Sequence, residues 1–135
     1  LIEHNIKITN FLFEIGIGAS AAGFLNTAIL VINNLRDFDS DKLVNKRTLA
    51  VIWGQKFTCY EFMLLLIGNG LCYCLLAYIW GSYLLFIMII PISIFSYILI
   101  KKVFQFESTD LNNVLEATAR LSFLSSILFF IANVI

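Results

Sequence analysis

Three carboxylates are the residues of this sequence best suited to chemistry. Asp37, Asp39 and Asp41 occupy alternate positions in a short charged segment that follows a long apolar run. Three cations flank them, at Arg36, Lys46 and Arg47. Carboxylate oxygens are preferred ligands of Mg²⁺, and cationic side chains bind the oxygens of phosphate groups. The segment therefore predicts a divalent-metal site that receives a phosphorylated ligand.

The spacing of the three carboxylates is informative if the preceding helix continues through them. Asp37 and Asp41 are four residues apart, so they share one helical face. Such a pair holds Mg²⁺ while leaving positions for water and phosphate oxygens. Asp39 becomes a third metal ligand if the helix unwinds at this point. The amides of Asn33 and Asn34, at the membrane end of the segment, are predicted to contact the ligand.

Other readings of this segment compete with a metal site. A charged connector that only fixes membrane topology explains the cations but not the alternating aspartates. A calcium-binding EF-hand requires glycine at the sixth position of its loop and glutamate at the twelfth, where this chain has Lys42 and Thr48. The DxD motif of glycosyltransferases is too short to be specific.

The elements that position this segment are predicted from composition. The chain has 135 residues, of which 60% are hydrophobic and 13% charged, whereas soluble domains carry about 25% charged residues. Four apolar segments are each near the ~20 residues that cross a bilayer; they cover residues 10–34, 57–80, 83–100 and 114–135. We predict an all-α, polytopic transmembrane helix bundle with a kink at Pro91. Residues 1–9 are predicted to be a loop or the end of an element outside this part of the protein. Glu116 and Arg120 are four apart and are expected to pair.

The distribution of basic residues predicts the orientation of the bundle. Five of the nine basic residues lie between positions 35 and 56, and two more follow the third apolar segment. The positive-inside rule places both loops in the cytoplasm, so the aspartates face the cytoplasm. The formal net charge is zero, and therefore no nucleic-acid partner is expected.

The charged segment also resembles a known family. NNLRDFDSDKLVNKRTLAVIWG is similar to the second aspartate-rich motif of the UbiA superfamily of intramembrane prenyltransferases. Its closest branch, the 1,4-dihydroxy-2-naphthoate polyprenyltransferases of menaquinone synthesis, carries NN-x-RD-x-(D/E)-x-D followed by GKRTLAV. The later LNNVLEATARL resembles the start of the last helix in that branch. Residues 1–135 are thus expected to form the carboxyl-terminal four helices of a single nine-helix transmembrane domain, whose upstream remainder is a partner of this part.

The resemblance implies an activity and a location. Asp37 and Asp41 become the catalytic pair that holds Mg²⁺, with Asp39 in a position often occupied by Glu or Asp. The substrates implied are a polyprenyl diphosphate and 1,4-dihydroxy-2-naphthoate, which is prenylated with loss of CO₂. The diphosphate is expected to contact the flanking polar residues, namely Arg36, Lys46, Arg47, Asn33 and Asn34. The protein is expected in the lipid bilayer of the bacterial inner (plasma) membrane.

Two departures and two alternatives qualify this implication. The first aspartate-rich motif of the family is absent, so residues 1–135 alone are expected to be inactive. Asn45 stands where the family usually has glycine, and asparagine is the residue next most tolerant of the left-handed backbone conformation that such a glycine adopts. The acceptor could instead be 4-hydroxybenzoate or another aromatic compound. A polytopic transporter with an ion site at 37–47 is the alternative from another class; it should carry charges at the bilayer centre.

Overall fold

Six helices make up the fold of the computed structural model, which describes residues 2–107 and 109–134 and the side chains of 11–107 and 109–131. No strand occurs in these ranges. The helices are α1 (Ile2–Arg36), α2 (Phe38–Leu43), α3 (Leu49–Trp53), α4 (Gln55–Trp80), α5 (Tyr83–Phe104) and α6 (Leu111–Val134).

The four long helices confirm the predicted transmembrane bundle. Each contains a segment long and apolar enough to cross a membrane: Phe11–Arg36, Gln55–Trp80, Tyr83–Phe104 and Leu111–Ile131. Of the two alternatives predicted for residues 1–9, the loop is wrong from Ile2 onward, because α1 begins there; Leu1 lies outside the described residues. Helix α5 contains Pro91 and is helical on both sides of it.

The long helices pack in a ring in which each one contacts two neighbours. α1 contacts α4 and α6, and α5 completes the ring between α4 and α6. Adjacent helices run antiparallel: Arg36 at the end of α1 meets Asn112 at the start of α6, and Phe24 packs on Gly68 of α4. Large apolar side chains fill the centre, with Phe62 and Ile32 fully buried. Within a membrane, close van der Waals packing of these side chains, rather than their removal from water, stabilises the assembled bundle.

Polar side chains fasten α1 to α4 inside the membrane. The Nδ2 of Asn69, which is fully buried, donates to the carbonyl oxygen of Ala21 at 2.9 Å. At the far end of α4, Trp80 Nε1 donates to Glu14 Oε2 at 3.0 Å. Unpaired polar groups are costly in an apolar environment, so these hydrogen bonds fix the register of the two helices. The charged segment follows the opposite end of α1.

A left-handed turn at Asn45 ends α2 and shapes this charged segment. Asn45 has φ 55°, and it is the only residue other than glycine with positive φ in the described part of the chain. The Asn45 N–H donates to Lys42 O at 3.2 Å, and the Lys46 N–H donates to Asp41 O at 2.9 Å. These are the two hydrogen bonds of a Schellman motif. The turn folds the chain back, so that the Lys46 side chain reaches Asp41.

This turn predicts how substitutions at Asn45 behave in the full-length protein. Asn45→Gly should be tolerated, because glycine adopts the left-handed conformation without steric cost. Asn45→Val should destabilise the turn by about 1–2 kcal/mol, since a β-branched residue resists positive φ. The measurement is the thermal unfolding midpoint of the purified protein in detergent. Equal midpoints for the two variants would contradict a left-handed turn at this position.

The alternation of the four spans gives a test of topology. Ser40 in α2 and Tyr83 at the start of α5 lie at opposite ends of the bundle, and both are exposed. With Ser40 in the cytoplasm, cysteine at Ser40 should react with an impermeant maleimide only in inside-out vesicles. Tyr83→Cys is the matched control and should react only in intact cells. Because Cys59, Cys72 and Cys74 are free thiols, both variants are made in a background that lacks them. Labelling of Ser40→Cys from outside would reverse the orientation.

Candidate functional site

Asp41 is the buried carboxylate of the charged segment. Only 6% of its surface is exposed. Its Oδ1 accepts a hydrogen bond from Lys46 Nζ at 3.0 Å, and the Lys46 side chain is half exposed. Its Oδ2 is buried without a hydrogen-bond partner among the described residues. A buried carboxylate oxygen without a donor is costly unless it binds a cation or a water molecule.

Asp37 stands at the junction of α1 and α2. Its N–H donates to Asn33 O at 3.0 Å, and its carbonyl oxygen accepts from the Asp41 N–H at 2.8 Å. Both are hydrogen bonds between residues four apart, so helical register continues past the end of α1. The spacing then keeps the side chains of Asp37 and Asp41 on one side of the chain, as the sequence predicts.

The Asp37 carboxylate is oriented by Arg36 in a two-point contact. Arg36 Nε donates to Asp37 Oδ1 at 2.8 Å, and Nη2 donates to Oδ2 at 3.0 Å. The hydrogen bond from Arg36 holds the pKa of Asp37 below its usual range, against the smaller opposing effect of burial. Asp37 therefore stays ionised through mildly acidic pH, which is the state that a metal ligand requires.

Asp39 differs from the other two aspartates in its surroundings. It is exposed, and no group of three metal-ligating side chains converges among the described residues. Its role as a third metal ligand therefore stays a prediction. The helical backbone register keeps Asp37 and Asp41 on one side of the chain, so these two carboxylates are the candidate donor set. That set fits Mg²⁺, which is commonly bound through one or two carboxylates, with waters and substrate phosphates completing its coordination.

Arg36 has most of its hydrogen-bonding capacity occupied. Besides the two bonds to Asp37, Nη2 donates to Asn33 Oδ1 at 2.8 Å and Nη1 donates to Asn112 Oδ1 at 3.2 Å. These contacts use four of the five N–H groups of a guanidinium. Arg36 is thus built to orient Asp37, with a single N–H left for the diphosphate contact that was predicted for it.

The other residues predicted to bind the ligand differ in how many of their hydrogen-bonding groups are unoccupied. Lys46 keeps two of its three N–H groups, since one donates to Asp41. Arg47 is exposed beside it, and Asn34 is half buried at the end of α1. Asn33 is engaged by Arg36. Lys46 and Arg47 are therefore the cations of the segment most available to an anionic ligand.

Asn112 belongs to this site, although sequence reasoning did not place it there. It lies 76 residues from Arg36, at the start of α6. Its backbone N–H donates to Asp110 Oδ1 at 2.9 Å, and Asn113 Nδ2 donates to Asp110 Oδ2 at 3.0 Å. The only available signal was the LNNVLEATARL segment itself, whose asparagines open a helix. Spacing along the chain could not show that this helix end contacts the aspartate segment.

Comparisons with known proteins identify the family of the chain. Residues 8–132 match the UbiA prenyltransferase family. The chain is 32% identical over 116 residues to the 1,4-dihydroxy-2-naphthoate octaprenyltransferase of Escherichia coli (strain K12), a match that covers 82% of this chain and 36% of that protein. The chain thus spans about a third of the length of this relative. No solved structure matches the chain significantly. The family match covers nearly the whole chain, including the charged segment and all four long helices, and the chain belongs to the UbiA prenyltransferase family.

Proposed function

We propose that this chain is part of an Mg²⁺-dependent prenyltransferase that moves a polyprenyl group from its diphosphate to 1,4-dihydroxy-2-naphthoate in menaquinone synthesis. The proposal places the enzyme in the bacterial inner membrane with the aspartate segment in the cytoplasm. The acceptor is taken from the relative, whose name states a naphthoate substrate. The part of that relative that this chain does not match is expected to correspond to the rest of the domain.

The observation that carries the proposal is the Asp37–Asp41 pair. One carboxylate is buried with an unpartnered oxygen, and the other is fixed and kept ionised by Arg36. A connector that merely sets topology needs neither feature, because solvated charges suffice for that role. Lys46 pairs with one oxygen of this buried carboxylate. The other oxygen requires a cation or a water molecule, and a metal ion meets that requirement.

Each residue of the segment then has a defined task in the reaction. Asp37 and Asp41 would hold Mg²⁺, which would supply Lewis-acid stabilisation of the negative charge on the departing diphosphate. Lys46 and Arg47 bind diphosphate oxygens, and Arg36 keeps the Asp37 carboxylate in place. The allylic carbon gives up its bond to the diphosphate oxygen, and the electron-rich ring forms the new bond to that carbon. The diphosphate leaves, and the ring regains its aromatic character by losing its carboxylate as CO₂. The apolar helices keep water away from the allylic cation, which water would otherwise capture.

The metal assignment predicts the effect of removing either negative charge. In the full-length protein, Asp37→Asn or Asp41→Asn keeps the size of the side chain and removes a charge that the metal needs. Losing a metal ligand should cost several kcal/mol of transition-state stabilisation, on the order of a thousandfold in rate or more. The measurement is prenyl transfer to 1,4-dihydroxy-2-naphthoate in membranes at varied Mg²⁺, with protein amounts checked by immunoblot.

Glu107→Gln is the matched control for these variants. Glu107 is an exposed carboxylate at the end of the α5–α6 loop, outside the contacts of the aspartate segment. The substitution removes the same charge and should leave Mg²⁺-dependent transfer within a factor of about two of the starting protein. Normal turnover by both aspartate variants, at normal protein amounts, would refute the metal site and leave the segment as a charged connector.

A further inference from the structure

The outside of the bundle has two chemically different sides. On α4 and α5 the exposed large side chains at membrane depth are apolar or aromatic: Leu64, Ile67, Leu71, Ile87, Ile90, Ile94 and Ile98. That side suits contact with lipid. The side formed by α1 and α6 also carries exposed polar and charged residues within the membrane-spanning segments, namely Asn26, Asn112, Glu116 and Arg120.

Asn33 of α1 and Asn112 of α6 meet at Arg36, and further polar residues follow each of them along its own helix. Asn26 and Asn33 are seven apart in α1, and Asn112 and Glu116 are four apart in α6, so each pair follows one side of its helix. Asn33 and Asn112 are both bonded to Arg36, which joins the two rows at the end that holds Asp37. The two rows therefore form a polar wall that begins at the aspartate segment and extends into the membrane.

The charged pair in this wall lies well inside the span. Arg120 is nine residues beyond Leu111, or roughly 14 Å along the helix axis at 1.5 Å per residue. Arg120 Nη2 donates to Glu116 Oε1, and the two side chains are 71% and 61% exposed. Ionised side chains within the hydrocarbon region are costly and line cavities or contact protein rather than lipid. This wall is consequently expected to face protein or a polar cavity rather than acyl chains.

Arg120 has the free hydrogen-bonding groups that Arg36 lacks. Only one of its five N–H groups is engaged by a described residue, the bond to Glu116. A guanidinium with two adjacent free N–H groups matches a carboxylate in two-point geometry. Around it, Glu116, Ala119, Arg120, Phe123 and Leu124 form an exposed patch on the outer face of α6. The exposed ring of Phe123 offers a surface on which an aromatic ligand packs.

We infer that Arg120 binds the carboxylate of the aromatic acceptor, with the ring of that acceptor packed against Phe123. The inference rests on the proposed function, because it takes the acceptor to be an aromatic carboxylate. The two ends of the wall then bind different anionic groups of the two substrates. The diphosphate lies at the aspartate segment with the metal, and the carboxylate lies deeper along α6, so that the ring is held between the two ends.

The first test compares two ligands without turnover. Purified full-length protein in detergent is titrated with 1-hydroxy-2-naphthoate or with 1-naphthol, which lacks the carboxylate, and thermal unfolding midpoints are recorded. The wild-type protein should bind the acid at least tenfold more tightly. Arg120→Met should lose this preference and bind both ligands alike. Arg120→Lys, which keeps the charge but not the planar fork, should retain part of the preference.

The second test uses turnover with a matched control. Arg120→Met should raise the KM for 1,4-dihydroxy-2-naphthoate about 10- to 100-fold, the range expected for a lost charged hydrogen bond, with the KM for polyprenyl diphosphate unchanged. Lys102→Met removes an exposed cation at the cytoplasmic end of α5 and should leave both KM values unchanged.

The outcomes separate this inference from the proposed function. If Arg120→Met binds the acid as well as the wild type, or if the wild type does not prefer the acid to 1-naphthol, Arg120 is not a carboxylate site, even if Asp41→Asn abolishes transfer. If the wild type shows no prenyl transfer but binds the acid through Arg120, the carboxylate site stands and the transferase proposal fails. Should Arg120→Met fail to accumulate, the two-ligand comparison on the wild type and Arg120→Lys decides the matter.

Discussion

Hydrocarbon does not solvate charge, and the arrangement of this chain depends on that constraint. Two polar side chains of α4 are paired with α1 inside the membrane, Trp80 with Glu14 and Asn69 with the carbonyl oxygen of Ala21. The aspartates gather at the opposite end of α1, where the chain leaves the apolar layer. Even there Asp41 is buried, and its burial is tolerated because the turn at Asn45 returns Lys46 to within hydrogen-bonding distance. One backbone conformation thus makes a buried carboxylate possible.

The parts of this fold that could be predicted from sequence are those set by local chemistry. Hydropathy over about twenty residues identifies a membrane span wherever it occurs, so the four long helices were predictable. The left-handed turn at Asn45 was predicted from the glycine that the resembling family has at this position, which asparagine can replace because it tolerates positive φ. The contact between Arg36 and Asn112 was not, since it joins helix ends 76 residues apart. Such a contact depends on how α1 and α6 pack, and a single sequence contains no direct record of packing.

The two arginines of the polar wall show why residue type alone does not assign a role. Both are exposed guanidiniums on helices, and the sequence favours Arg36 as the ligand-binding one because it adjoins the aspartates. In the structure Arg36 donates hydrogen bonds to Asp37, Asn33 and Asn112. These hydrogen bonds hold the Asp37 carboxylate in place. Arg120 is bonded only to Glu116 among the described residues. Free donor capacity, rather than proximity in sequence, distinguishes an orienting arginine from a binding one.

The loop between α5 and α6 acquires a function from the same contacts. Asp110 accepts from the backbone of Asn112 and from the side chain of Asn113, and thereby fixes the first turn of α6. Asn112 is then held where its side-chain oxygen meets Arg36. Because Arg36 in turn fixes Asp37, the position of that carboxylate depends on a residue in the other polar loop. Asp110 therefore affects the aspartate segment indirectly, through Asn112 and Arg36. The two polar loops, which hydropathy presents as separate connectors, form one continuous hydrogen-bonded structure at this end of the bundle.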